Sequence, residues 1–279
     1  MTVRQTAKEP VRGPARKRAA SRRKRKADEG AEAPVPSGRR RAATWFRRLG
    51  ILGLVIGMAP FVLIIVYAAP GIRPVSTLMV GEAIGGGGYV REWTPLDEFP
   101  PAVVASVLAS EDGRFCSHSG VDWPAMADVA RDAWAGERTR GASTVTMQTV
   151  KNLFLPANRS MLRKAIEVPL ATFADFVWGK RRTLEIYLNI AEWAPGHFGA
   201  AAGSKAWFGR DVRTLSRREA ARLAVTLPNP HIRNPADPGP RVAALARVNE
   251  RRAREMGPYL DCLIPPPPAR DVTPMPKRR

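Results

Sequence analysis

The chain has 279 residues, 44% of them hydrophobic, and a net charge of +20, enough apolar material for a real core in one or two domains, which excludes a wholly disordered polypeptide. The charge is uneven, because residues 1–48 hold 16 Lys and Arg against 4 Asp and Glu, a net +12, and leave +8 on the remainder. The two cysteines form no CxxC pair, which argues against a zinc ribbon or a dithiol redox motif.

Residues 1–48 are rich in Arg, Lys, Ala and Pro and nearly free of large apolar side chains before Trp45. Such a segment cannot bury enough surface to offset its ordering entropy, so it reads as a disordered basic tail. No charged residue lies between Arg48 and Arg73, and Leu49 to Ala69 is dominated by Leu, Ile, Val, Gly and Ala. That length spans a bilayer, so residues 49–70 are predicted to form one transmembrane helix in which Pro60 is tolerable. Val66-Tyr67-Ala68 is a weak match to a signal cleavage site, but the leader is too long for a signal peptide. The dense Arg and Lys before the span put the N-terminus in the cytoplasm and residues from about 73 onward outside the cytoplasmic membrane. In that compartment Cys116 and Cys262 either form a disulfide or remain buried thiols, and spacing does not decide between them.

Residues 71–100, with Gly85-Gly86-Gly87-Gly88, Pro95 and Pro100, read as an extended connector; the glycine run lacks the Lys-Ser/Thr of a phosphate loop. Pro100-Pro101 can open a helix with Val103, Val104, Val107 and Leu108 at helical spacing, ending near Glu111. A carboxylate at a helix C-terminus opposes the backbone dipole, which raises its proton affinity and suits a general base. Ser160 is a cap for a helix holding Arg163, Lys164 and Glu167, which Pro169 should kink or divide. A further helical pattern, Leu184, Tyr187, Leu188 and Ala191, stops at Pro195-Gly196. Ser216 and Glu219 form a capping box ahead of Ala220, Leu223, Ala224 and Leu227, and Pro228 stops that helix. No period-2 strand series occurs, so the fold is predicted to be mainly α; residues 259–279, with Pro265 to Pro268, form a basic tail.

A sugar hydroxyl attacks only if a carboxylate or imidazole takes its proton, and Glu111 is the candidate. Its bland reading is a surface Glu at a helix end. Asp112 and Arg114 equally suit helix-end charges, and His118 suits a structural hydrogen bonder. Lys151, Arg159, Arg163 and Lys164 could stabilise charge on a departing pyrophosphate, or form a solvated face in which Arg163 and Glu167 are an i,i+4 pair. Val145, Met147, Val150, Leu153, Phe154 and Leu155 are either core or a surface dipping into the bilayer.

Four ordered motifs decide among these readings: Glu111-Asp112-x-x-Phe115-x-x-His118-x-Gly120; Gly141-x-Ser143-Thr144 with Gln148 and Lys151-Asn152-x-Phe154-Leu155; Arg163-Lys164-x-x-Glu167; and Leu184-Glu185-x-Tyr187-Leu188-Asn189. Together they closely resemble the peptidoglycan glycosyltransferases of family 51, over residues 105–210 and more weakly from about 75 to 235. The resemblance implies a lysozyme-like helical head with a smaller membrane-proximal jaw, placed at residues 101–258, in a monofunctional enzyme of the inner membrane with its catalytic domain in the periplasm. It implies lipid II and the growing glycan strand as ligands, with proteins of a cell-wall synthesis complex as partners. By carry-over Glu111 is the base acting on the acceptor's 4-hydroxyl and Glu167 the second glutamate, near the pyrophosphate. Asp112, Arg114, Phe115, His118, Ser143, Gln148, Lys151, Asn152, Arg159 and Arg163 then belong to the substrate site. No covalent cofactor is implied; a divalent cation such as Mg2+, held by Glu167, is the one metal the resemblance allows. Met147 departs from the family, where many members carry Gln, and removes a donor from that position.

Two rivals remain. A lytic enzyme would also use a glutamate in a helical cleft, but has no use for a cationic pyrophosphate cradle. A tethered nucleic-acid binder would use the basic tail, yet that tail lacks aromatics interleaved for base stacking, so no nucleic-acid partner is expected.

Overall fold

A computed structural model describes residues 38–137, 141–156 and 160–263. The basic tail up to residue 37, Arg159 and the Pro-rich end from residue 264 lie outside the described residues, as do the expectations attached to them. The chain divides into two units, Met1–Gly57 and Met58–Arg279. In the first, the described residues belong to helix α1 (Gly38–Tyr67) and expose a run of apolar side chains including Trp45, Phe46, Leu54 and Ile56. The helix starts well before the apolar run because Arg and Ala are good helix formers. Within it Ala42–Tyr67, 26 residues, is long and apolar enough to cross a membrane; at 1.5 Å per residue it measures about 39 Å.

The second unit is mainly helical. α2 (Thr77–Ile84) is followed by strand β1 (Val90–Arg91), α3 (Pro101–Glu111), α4 (Trp123–Trp134), α5 (Val145–Phe154) and α6 (Met161–Ile190). Strands β2 (Glu192–Ala194) and β3 (His197–Phe198) precede α7 (Ala200–Phe208), α8 (Arg217–Ala224) and α9 (Pro240–Glu255). The three strands form one small sheet in the order β1-β3-β2, with Val90 opposite His197 in parallel and Glu192 opposite Phe198 in antiparallel register.

Two apolar clusters hold the unit together. α3 is buried along Val103 to Leu108 and packs with α8, α9 and Trp193 in one cluster. α5, the first half of α6, Met79 and the end of α1 form the other, where Val145, Met147 and Val150 are fully buried and Leu153 and Leu155 nearly so. These side chains are therefore core and not a surface available to a bilayer.

The connector at 71–100 holds more structure than its Gly and Pro content suggests. Ser76 caps α2, its Oγ accepting from Met79 N at 3.2 Å, and Met79 is fully buried. α6 also departs from expectation, because it runs through Pro169 and breaks at Gly179, where φ is +62°. Buried Leu170, Ala171 and Ala174 hold the proline turn against its missing hydrogen bond, and glycine accepts the positive φ without a Cβ clash.

The end of α1 is capped by α6. Trp178 Nε1 donates to Ile64 O at 2.7 Å; Arg182 donates to Tyr67 O at 3.0 Å, Ala69 O at 3.1 Å and Ile72 O at 2.5 Å. Ile64 O and Tyr67 O are among the carbonyls the C-terminus of α1 leaves without intrahelical partners, Ala69 O and Ile72 O belong to the turn after it, and a guanidinium suits the negative end of the dipole. Phe61 on Phe173 and Tyr67 stacked on Phe154 complete the joint.

Cys116, in the turn Phe115–Ser117, is bridged to Cys262, in the final turn Asp261–Leu263, across 146 positions with Cα atoms 5.6 Å apart. Closing so long a loop restricts the unfolded chain, so reduction or Cys262→Ser should lower stability by about 2–5 kcal/mol. Urea unfolding of the oxidised and reduced protein measures this; coincident curves would show that the bridge contributes nothing.

Candidate active site

The site begins where α3 ends. Asp112 follows Glu111 and leaves the helix, its N–H still donating to Leu108 O at 2.8 Å. Its buried carboxylate accepts from Val145 N at 2.9 Å and faces His118 Nε2 at 3.1 Å. Val145 opens α5, whose cap Thr144 accepts from Met147 N at 3.1 Å and donates to Gly120 O at 2.6 Å. Gly120 has φ +82°, and a Cβ there would lie 2.4 Å from Ala171 O, so only glycine fits. Arg114 makes a two-pronged pair with Asp122 at 2.8 Å per bond, and Asp122 caps α4. The turn after Glu111 is thus fixed to both α4 and α5.

Glu111 is half-buried. Gln148 Nε2 donates to its Oε2 at 3.1 Å and Ser110 Oγ to its Oε1 at 3.0 Å. Gln148 is oriented in turn by the buried Tyr187, whose hydroxyl donates to Gln148 Oε1 at 3.3 Å. Burial pushes the Glu111 carboxyl above its ordinary range, outweighing those two hydrogen bonds and the charges of Arg233 and Lys151, which all favour the carboxylate. Proton affinity is raised, the direction expected, but the cause is loss of water and not the helix end.

One turn beyond Gln148, Lys151 is held below the usual ammonium range by burial, with Arg163 and Lys164 adding to the effect and Glu167 and Glu111 opposing it. Lys151 therefore stands in the field of both glutamates. Glu167 is 3% exposed, unlike a surface i,i+4 partner. Arg163 Nε lies 3.2 Å from its Oε1 and Lys164 Nζ 3.2 Å from its Oε2. Lys164 Nζ also donates to Ser143 Oγ at 2.9 Å. Ser143, Asp112, Arg114 and Glu111 line a groove of about 190 Å³.

The structure brings Glu111, Asp112, Arg114, Ser143, Gln148, Lys151, Arg163 and Glu167 into one connected region. Asn152 lies on the same helix, where its carbonyl accepts from Thr77 Oγ1 at 3.1 Å. Phe115 and His118 sit behind the groove. Phe115 is fully buried, with Lys180 Nζ 4.8 Å from its ring centre, and His118 is held by Asp112. Met147 points into the core, its Sδ 4.0 Å from Lys164 Nζ, so this side chain is not a groove donor. Tyr187 and Arg233 are site residues that sequence reasoning did not single out. Tyr187 stands in one of the four motifs, whereas nothing in the Pro- and Asn-containing loop after α8 marks Arg233.

A family model described as Transglycosylase matches residues 80–256. The chain belongs to the transglycosylase family. A protein of Rhizobium meliloti (strain 1021) is 50% identical over 234 residues, covering 82% of this chain and 99% of that one. One of Agrobacterium fabrum is 50% identical over 221 residues, 79% and 98% of the two chains, and one of Brucella suis 48% identical over 222 residues, 78% and 99%. All three are named biosynthetic peptidoglycan transglycosylase.

The raised Glu111 pKa makes a stability prediction for this transglycosylase. The folded chain keeps the proton to higher pH than the unfolded chain, so stability falls as pH rises from the unfolded pKa through the folded one and stays reduced above it. Glu111→Gln should therefore raise the melting temperature at pH 7, and the gain should vanish near about pH 4. Thermal melts across pH read this directly; a variant less stable than wild type at pH 7 would contradict it.

Proposed function

We propose that the transglycosylase polymerises lipid II into β-1,4-linked glycan strands, acting as a monofunctional enzyme at the outer face of the inner membrane. Glu111 takes the proton from the acceptor's 4-hydroxyl as that oxygen attacks the donor's anomeric carbon from the face opposite the leaving group. The new C–O bond forms as the bond to pyrophosphate breaks, and undecaprenyl pyrophosphate departs with inversion. A desolvated carboxylate is a stronger base than a hydrated one, which suits Glu111 to this step.

The observation that carries this reading is the buried Lys151, on the same helix as Gln148 and in the field of both Glu111 and Glu167, which supplies a cation near the base where a leaving pyrophosphate gathers charge. Arg163 and Lys164, held by Glu167, extend that cationic wall, and a lytic enzyme would have no use for it. The residues around Glu167 do not fit a resident divalent cation. Its oxygens face a guanidinium and an ammonium, and among the described residues no cluster of three His, Cys, Asp or Glu side chains occurs. No step is assigned to a metal. The one membrane-length helix among the described residues, with Arg47 and Arg48 near its start, supports an anchor with a cytoplasmic N-terminus.

With fluorescent lipid II, wild-type protein should build polymer, and Glu111→Gln should lose about 10²-fold or more of the rate. Shortening of preformed glycan with lipid II untouched would instead identify a lytic enzyme. Gln148→Met removes a hydrogen bond that favours the Glu111 carboxylate, so the acid limb of the pH–rate profile should move to higher pH. An unmoved limb would detach Glu111 from the titration.

A further inference from the structure

We infer that the groove along α9, walled by α8 and α3, docks an acidic segment of a partner protein. Residues 49–263 carry 25 Lys and Arg against 20 Asp and Glu, an excess of five. α8 and α9 alone hold 8 Arg against 3 Glu, the same excess. Outside these two helices the charges of 49–263 balance, so the net positive charge of that region is concentrated on one pair of helices.

Two adjoining hollows run along α9, the first between it and α8 and the second between it and α3 with Arg217 of α8 at the edge. One, about 400 Å³, has Ala243 and Ala246 in its lining and Arg218, Arg222 and Arg247 around it. The other, about 270 Å³, is lined by Ala102, Ala105 and Ala253 with Arg217 and Arg254. Glu250 borders both, which makes them one groove, and it is paired with Arg254 at 2.6 Å. Among the described residues none of Arg218, Arg222 and Arg247 is ion-paired, although Arg218 and Arg247 are exposed and Arg222 half-exposed.

An alanine floor admits close approach of another backbone and an occasional apolar side chain, while guanidinium groups bind carboxylates in a two-pronged way. From Ala243 to Gly257 the groove follows α9 for about 20 Å, the length of about four helical turns or six extended residues.

Hydrogen-exchange mass spectrometry of the full chain in detergent, which reads the groove apart from the basic tail, tests this with a twelve-residue Glu peptide carrying Leu at every fourth position. At about ten times its dissociation constant the peptide should slow amide exchange about tenfold in 217–224 and 240–255. The effect should weaken with salt, disappear in R218E/R222E/R247E, and diminish in R218Q/R222Q/R247Q, with melting temperature and glycan polymerisation unchanged in both variants. No protection of these helices, equal protection by the Gln counterpart of the peptide, equal protection in the charge-reversed variant, or protection by phosphatidylglycerol vesicles in place of the peptide would each overturn the proposal.

Discussion

The site is organised by one buried carboxylate. Asp112 is the first residue beyond α3, and its side chain accepts the N–H of the first residue of α5 while holding His118. A charge in that position would be costly without partners, but the N-terminus of a helix supplies both a free donor and a favourable dipole. The bond therefore does two things together: it satisfies Asp112 and it sets the start of α5 against the end of α3. Gln148 and Lys151 stand one and two turns into α5, so their distances to Glu111 follow from that junction. Replacing the carboxylate would leave Val145 N without its partner and release the alignment of the groups facing Glu111.

The same alignment carries a cost in stability. Glu111 and Lys151 are each pushed toward their neutral forms by burial, and each partly restores the other's charge. Two desolvated groups of opposite sign, neither fully neutralised, oppose folding, and under the proposed function that cost goes with a carboxylate of raised proton affinity and an ammonium near the leaving group. The hydrophobic clusters and the Cys116–Cys262 bridge hold the turn after Glu111 against this tendency, since Cys116 lies within that turn.

Helix ends were legible at some of the capping residues, whereas the caps Ser76, Asp122 and Thr144 went unread. Ser216 with Glu219, Ser160, and Pro100-Pro101 each start a helix where the residues place it. Pro169 misleads because a proline's effect depends on tertiary support, and the buried residues after it come from packing that a linear pattern does not display; the break passes to Gly179, which carries no warning beyond being glycine. In the site, the motifs identify Glu111, Gln148, Lys151 and Glu167 as a set, but spacing does not separate a groove wall from its foundation. Phe115 and His118 share a motif with Glu111 and lie behind the groove, whereas Tyr187, 76 positions away, orients the amide that contacts the carboxylate. Burial, the cause of the Glu111 shift, arises from such distant elements and is invisible in the residues around position 111.

The joint between α1 and α6 adds a mechanical consequence. A helix end left to water would pivot about a few backbone torsions, and a catalytic head on such a tether would sample many orientations. Here the last carbonyls of α1 are taken by Trp178 and Arg182, on the two sides of the Gly179 break, and Arg182 is itself paired with Glu185 and stacked on Trp93. The cap thus comes from the same helix that carries Glu167 on its first half and Tyr187 on its second. Within this unit the residues from Met58 to Ile72 are thereby fixed to α6.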